Sequence, residues 1–176
     1  GASIVSQPGP GNRFFVNGRA SDSTLFELSP TDLNVPPTEV WKTRHIKNTY
    51  VISVYHDGLI FGYNGRILAC VDASTGDLVW RSREPGDGFP ILVDGHLVIA
   101  TKEGHLSIAP ASRDGYKEIA SIPVVDDLVW SPATFVNKSR YVRSIESWAR
   151  VDIRPAPSVA SLEKEATGVI ADSEFG

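Results

Sequence analysis

The sequence predicts an all-β protein built from repeated antiparallel meanders. Helical periodicity is nearly missing, and short apolar runs alternate with Asp-Gly, Asn-Gly and Glu-Gly pairs, which favour tight hairpin turns. The pattern also recurs, with 37 residues between Gly58 and Gly95 and 39 between Trp41 and Trp80. A period of about 40 residues with four short strands is typical of β-propeller blades. We therefore expect a partial β-propeller of about three to four blades, each a four-stranded antiparallel meander.

The first part of the chain carries what reads as the remains of a blade. Phe14 to Val16 and Leu25 to Leu28 are predicted strands, and Asn17-Gly18 supplies a turn between them. A loop rich in proline follows the second strand. Residues 1–39 are accordingly predicted to form an irregular N-terminal segment with a remnant blade.

Two consecutive repeats show the pattern most clearly. The first has predicted strands at Val54–His56, Leu59–Phe61, Ile67–Val71 and Leu78–Trp80. The second has its turns in the same order and predicted strands at Pro90–Val93, Leu97–Ala100, Leu106–Ala109 and Lys117–Ile122. The glycines of the hairpin turns are expected to have positive φ values: Gly58, Gly65, Gly95 and Gly104.

A third repeat is looser and lacks a closing strand. Its predicted strands are Trp130–Val136, Tyr141–Arg143 and Trp148–Ile153. The blades are therefore assigned to residues 40–154. After Arg154 the composition shifts to Pro, Ala, Ser and Glu, which predicts that residues 155–176 are a linker or a C-terminal tail.

One turn carries a recognisable motif. Asp72, Thr75, Gly76 and Trp80 match the pattern Ala-x-Asp-x-x-Thr-Gly-x-x-x-Trp, and Cys70 stands at the position of the alanine. The segment resembles the blade repeat of the pyrroloquinoline-quinone-like (PQQ-like) propeller superfamily, and specifically its uncharacterised bacterial members. The resemblance covers about residues 40 to 153 and implies a quinoprotein-like fold.

The motif also has a structural explanation that does not depend on the family. Asp72 and Thr75 can bond to backbone groups of the turn, and Gly76 can adopt a left-handed conformation. Trp80 offers a large apolar body for packing between adjacent blades. The second repeat departs from the pattern, because Pro110 stands where Asp72 does and no tryptophan follows. We therefore interpret these four residues as a structural repeat motif.

Composition limits the classes of partner. The formal net charge of −4 and the absence of a basic run argue against nucleic acid, which proteins bind through clustered Lys and Arg. The single cysteine, Cys70, cannot form a disulfide within the chain and is expected to be a buried small residue. No apolar run approaches the roughly 18 residues of a membrane-spanning helix, so no transmembrane segment is predicted.

Histidines and carboxylates offer no convincing site. Three histidines (His56, His96 and His105) adjoin glycine turns and form no close pair, which argues against bound zinc. Most aspartates are turn formers, and Asp126-Asp127 is the densest acidic pair. We predict no catalytic, cofactor-binding or metal-binding residue.

Arginines and aromatic residues recur late in the blades. The set is Arg81, Arg83, Arg143 and Arg150 with Trp130, Tyr141 and Trp148. These residues either line a ligand face or pack around blade edges, and the second interpretation is favoured.

The resemblance leaves two classes of function open. The superfamily divides into quinone-dependent dehydrogenases, whose quinone and calcium lie on an axis ringed by seven or eight blades, and non-enzymatic scaffolds. Because about four blades cannot enclose such a site, we predict a non-enzymatic binding or scaffold module without a cofactor. The alternative is a fragment of a PQQ-dependent dehydrogenase, and a third hypothesis is an accessory domain joined to a separate enzyme. Similar proteins are mostly exported, which favours a periplasmic or secreted location.

An incomplete propeller has apolar end faces that need a cover. We expect a protein partner or self-association, and a homodimer in which two arcs complete a ring is the favoured form. The competing hypothesis is that residues 1–40 and 155–176 cap the ends.

Overall fold

The architecture consists of strands that form four antiparallel sheets. The computed structural model describes residues 6–8, 11–18, 21–47, 51–136 and 139–152, and every regular element in those ranges is a strand. Within each sheet, hydrogen-bonded neighbours are consecutive in the chain. Each sheet is therefore a meander, and the prediction of an all-β partial propeller is confirmed.

The sheets are numbered as blades in chain order. Blade 1 contains β1 (Ser6–Pro8), β2 (Arg13–Val16), β3 (Ser23–Glu27) and β4 (Thr38–Thr43). Blade 2 contains β5 (Val54–His56), β6 (Leu59–Asn64), β7 (Ile67–Asp72) and β8 (Leu78–Ser82). Blade 3 contains β9 (Gly88–Val93), β10 (His96–Thr101), β11 (His105–Pro110) and β12 (Ala120–Pro123). Blade 4 has three described strands, β13 (Thr134–Val136), β14 (Ser139–Arg143) and β15 (Trp148–Asp152).

Blade 1 has four strands where the sequence predicts only a remnant. Residues 28–37 join β3 to β4 as a long loop, so no tight-turn pair marks this connection in the sequence. The blade crosses the predicted boundary between residues 39 and 40, and the division into 1–39, 40–154 and 155–176 stays a prediction. Strands β1 to β4 form one sheet, and the hypothesis that residues 1–40 cap an end of the arc stays a prediction. Residues 155–176 lie outside the described ranges.

The first strands of blades 1, 2 and 3 lie next to one another, toward the centre of the arc. Strand β1 contacts β5, and β5 contacts β9, although they belong to different sheets. The last strands, β4, β8 and β12, are at the opposite edges of their sheets. The arrangement therefore has an inner side formed by first strands and an outer side formed by last strands.

Both faces of a blade contribute to the core, because side chains alternate between the two faces of a strand. One cluster lies between blades 1 and 2 and includes Phe15, Leu25, Trp41, Ile46, Ile60 and Val71. A larger cluster extends from blade 2 through blade 3 to blade 4 and includes Leu59, Phe61, Tyr63, Leu97, Ile99, Leu106 and Val142. The apolar runs of the sequence are thus buried between neighbouring sheets.

The predicted hairpin glycines have the expected backbone. The φ values of Gly58, Gly65, Gly95 and Gly104 are 75°, 60°, 72° and 86°, as the turn pairs predict. Gly104 has a second constraint, since a Cβ there would lie 1.8 Å from the carbonyl oxygen of Val125. The Gly104 carbonyl accepts hydrogen bonds from the amides of Val124 and Val125 at 2.9 and 3.2 Å. The backbone approaches this turn too closely for any side chain.

Replacing Gly104 tests this close approach. Gly104→Ala is expected to lower the free energy of unfolding by about 3 kcal/mol or more, because both backbone strain and a backbone clash must be relieved. Gly86 has a similar φ of 97°, and a Cβ at that position would meet nothing within 4 Å, so Gly86→Ala is expected to cost only about 1 kcal/mol. Urea unfolding of both variants measures the difference, and equal losses would contradict the proximity of Val125.

Candidate functional site

Two tryptophans occupy matching places at the outer edges of blades 1 and 2. Trp41 packs beside Phe15, with ring centroids 5.6 Å apart, and Trp80 packs beside Phe61 at 5.8 Å. In each blade, the tryptophan and the phenylalanine belong to one row of cross-strand neighbours. This row lies on the face of the sheet that packs against the next blade. The 39-residue spacing of the tryptophans thus corresponds to one position in consecutive blades.

Both indoles bond to the outer turn of the following blade. Trp41 Nε1 donates to the carbonyl oxygen of Ala73 at 3.1 Å, and Trp80 Nε1 donates to that of Ser112 at 2.9 Å. A Cβ on Gly76 would lie 2.6 Å from Cε3 of Trp41, so the glycine turn provides the surface on which this ring rests. Trp41 is buried, whereas Trp80 is half-buried.

The polar residues of the motif organise the same turn. Asp72 accepts hydrogen bonds from the amide of Ser74 at 2.9 Å and from its hydroxyl at 2.5 Å, and Arg113 Nη2 donates to Asp72 Oδ2 at 2.8 Å. The Ser74 hydroxyl, followed by Arg113, holds the pKa of the Asp72 carboxyl below its usual range. Thr75 Oγ1 accepts from the amide of Asp77 at 3.2 Å. These are contacts within a turn and to the next blade.

Sequence reasoning missed the role of Arg113. This residue lies in the outer turn of blade 3 and pairs with Asp72 of blade 2, so the ion pair joins two blades. The signal available in the sequence was a charged residue in the corresponding turn of the next repeat. Alignment by turn type alone does not show that two such turns are adjacent in space.

The boundary between blades 3 and 4 is built from smaller residues. Ala120 pairs with Ile108, which pairs with Val98, so alanine takes the position that tryptophan has in the preceding blades. The side chains of blade 4 and its entry loop that join this core are Val129, Ala133 and Val142. The sequence-based expectation of different packing after the second full repeat agrees with this arrangement.

An apolar cavity of about 380 Å³ lies beside the inner strands of blades 2 and 3. Its lining consists of Val51, Ile52, Val54, Tyr55, Phe89, Pro90, Ile91, Leu92 and Pro132. Ile52 is 43% exposed, and the hydroxyl of Tyr55 accepts a hydrogen bond from the amide of Gly58 at 3.2 Å. Such a lining suits an aliphatic or aromatic group of a ligand or partner.

This cavity does not fit calcium and a quinone. Calcium takes six to eight oxygen ligands, typically including carboxylates, and the lining supplies a single side-chain hydroxyl. Across the described ranges, no cluster of three or more His, Cys, Asp and Glu residues has the geometry to hold a metal ion. No catalytic step follows from this lining.

The other polar residues considered in the sequence lie in the core, in hydrogen bonds within the fold or beside turns. Cys70 is buried, and burial raises the pKa of its thiol to about 12, which keeps it protonated. Asp127 Oδ2 accepts hydrogen bonds from the hydroxyls of Ser144 and Ser147 at 3.4 and 3.3 Å. His56 and His96 adjoin the turns of β5–β6 and β9–β10, as the sequence indicates.

Blade 4 presents an aromatic face away from blade 3. Tyr141 and Trp148 lie on this face, with ring centroids 6.5 Å apart, and Trp148 is 71% exposed. Val136 is also exposed there, whereas Val142 on the opposite face is buried against blade 3. We call the exposed side of this sheet the end face of blade 4.

Two further sets of residues lie outside the cavity. Trp130 is 51% exposed and has Lys102 Nζ 4.4 Å from its ring centroid. Arg81 and Arg83 are positioned at one end of blade 2.

The described residues contain no helix that could span a membrane.

Sequence comparison and structural comparison give different results. No protein-family model and no curated protein sequence matches the chain. Among solved structures, BamB from Moraxella catarrhalis is similar, with a TM-score of 0.66 and 9% identity over 83% of this chain and 41% of BamB. The computationally designed Ika4 protein has a TM-score of 0.64 and 7% identity over 87% of this chain and 92% of its own.

A quinone enzyme also has a similar fold. Quinohemoprotein alcohol dehydrogenase from Comamonas testosteroni has a TM-score of 0.58 and 13% identity over 81% of this chain and 29% of its own. The chain thus spans less than half of the length of BamB and of this dehydrogenase. Both are PQQ-like β-propeller proteins, and the fold that the repeat motif predicts is therefore confirmed.

Proposed function

We propose that the chain is a non-enzymatic binding or scaffold module built from PQQ-like propeller repeats. The observation that carries this proposal is the cavity of about 380 Å³, whose lining is almost entirely aliphatic, aromatic and proline side chains. Covering a surface of this kind with an apolar group lowers the free energy of the system. The lining offers no pair of acidic and basic side chains that could transfer protons in a reaction.

The partner that we favour is a second copy of the chain. The end face of blade 4 exposes Trp148 and Val136, and aromatic residues of this kind often anchor protein interfaces. At the other end of the arc, Phe14 and Phe26 stack on blade 1 with ring centroids 5.5 Å apart. Contact between these ends would join two arcs of blades into a ring.

Light scattering at several protein concentrations tests the homodimer. The wild-type chain is expected to show twice the monomer mass at high concentration, and Trp148→Lys to show the monomer mass, because the added positive charge lies opposite Arg143 and cannot be buried without a partner. Ile119 is 61% exposed on the connection before β12, so Ile119→Lys is the matched control and should leave the dimer intact. A wild-type monomer at every concentration would rule out self-association.

A fragment of a quinone-dependent dehydrogenase remains the alternative, because a quinohemoprotein dehydrogenase shares the fold. Adding PQQ and calcium to the chain, or to any longer protein that contains it, distinguishes the two functions. The binding module predicts an unchanged quinone absorption spectrum, whereas a cofactor site predicts a shifted one.

We further propose that Asp72, Thr75, Gly76 and Trp80 serve the structure and take no part in chemistry. Their contacts support this role, since Trp80 and Asp72 each reach the outer turn of blade 3 through Ser112 and Arg113. The tryptophan of one blade thus binds the outer turn of the next blade, as Trp41 binds Ala73 and Trp80 binds Ser112. We call this contact between neighbouring blades the tryptophan joint.

Truncation of Trp80 tests the structural role. Trp80→Ala is expected to lower the free energy of unfolding by about 3 kcal/mol, because the ring packs against Phe61 and its N–H bonds to Ser112. Trp130→Ala is the control, with an expected loss of about 1 kcal/mol or less, since half of Trp130 is exposed. Thermal or urea unfolding gives both values, and a Trp80 variant as stable as wild type would contradict the proposed joint.

A further inference from the structure

A groove runs across one end of blade 2, where β7 begins and β8 ends. Three adjoining cavities of about 310, 290 and 50 Å³ form it, and Ile67 lines all three. Arg66, Arg81 and Arg83 stand along the groove, with His45 at one end. We call these five residues and the space between them the arginine groove.

The arginine groove concentrates positive charge on a chain with a net charge of −4. Among the described residues, Arg81 and Arg83 form no ion pair. Arg66 approaches Glu103 only at 3.7 Å, and the two side chains are 76% and 79% exposed. Glu84, the carboxylate next to Arg83 in the chain, is exposed and forms no ion pair with the arginines of the groove among the described residues. The guanidinium groups are therefore accessible to an external anion.

Two aliphatic side chains of the groove reach its surface beside the arginines. Leu78 is 37% exposed and Ile67 is half-buried, whereas Ala69 beneath them is buried, and Asn64 and Ser82 are polar members of the lining. A small inorganic anion would meet the arginines but would leave Ile67 and Leu78 in water. A ligand that uses the whole groove must be elongated and must carry both carboxylates and apolar groups.

We propose that the arginine groove binds an extended segment of a partner protein that carries both acidic and aliphatic residues. Ile67 lines the same cavities as the three arginines, so carboxylates and an aliphatic side chain on one side of the segment can contact the groove together. Each guanidinium can bind a carboxylate through two parallel hydrogen bonds. The inference rests on the proposed binding function and specifies the chemistry of the partner.

Fluorescence anisotropy with a labelled synthetic peptide of repeated Glu-Glu-Leu-Leu, which presents both residue types on each side of a strand, tests the inference on the full chain. The double variant R81Q/R83Q is expected to raise Kd by at least about tenfold, because two charge-assisted contacts are lost. The matched control K42Q/K117Q removes the same charge from exposed positions outside the groove and should change Kd by about twofold or less. Equal thermal unfolding of the two variants shows that both are folded.

Three results would overturn the inference. They are an equal loss of affinity in both double variants, displacement of the peptide by inorganic phosphate at the same charge concentration, and tight binding of a lysine–leucine peptide. The light-scattering experiment on Trp148 does not involve the groove. Failure of the peptide assay while that experiment succeeds therefore rejects the groove and leaves the binding module in place.

Discussion

A blade of this chain is apolar on both faces, so it needs a neighbouring sheet to remain folded in water. Blade 2 shows the constraint clearly, because Ile60 and Val71 face blade 1 whereas Phe61 and Leu68 face blade 3. The contacts that align one blade with the next therefore determine whether the arc exists at all. The inner cavity, which residues of blades 2 and 3 line together, depends on that alignment.

We propose that the tryptophan joint provides this alignment at two of the three boundaries between the described blades. An indole combines a large apolar surface with one N–H donor, so it fills the space between sheets and also fixes the adjacent turn through a carbonyl group. Trp41 and Trp80 do this with nearly equal geometry. Ala120 has neither property, and blade 4 packs against blade 3 through small side chains such as Val129 and Ala133.

The sequence was sufficient where a local rule determines the structure. Asp-Gly and Asn-Gly pairs located hairpins such as those at Gly58 and Gly65, because the backbone of such a turn is fixed by its own residues. The pairing of β4 with β3 across the proline-rich loop and the pairing of Asp72 with Arg113 were not predictable in the same way, since both depend on contacts between distant segments. The cavity and the arginine groove likewise combine residues from several strands and loops.

The unfolding free energies of Gly76→Ala and Gly58→Ala test the tryptophan joint most directly. The two glycines have φ values of 78° and 75°, but a Cβ on Gly76 would meet the ring of Trp41 at 2.6 Å, and one on Gly58 would meet nothing within 4 Å. We predict that Gly76→Ala costs about 2 kcal/mol more than Gly58→Ala, because only the former displaces the ring. Equal losses in the two variants would contradict the claim that the blades are joined through this contact.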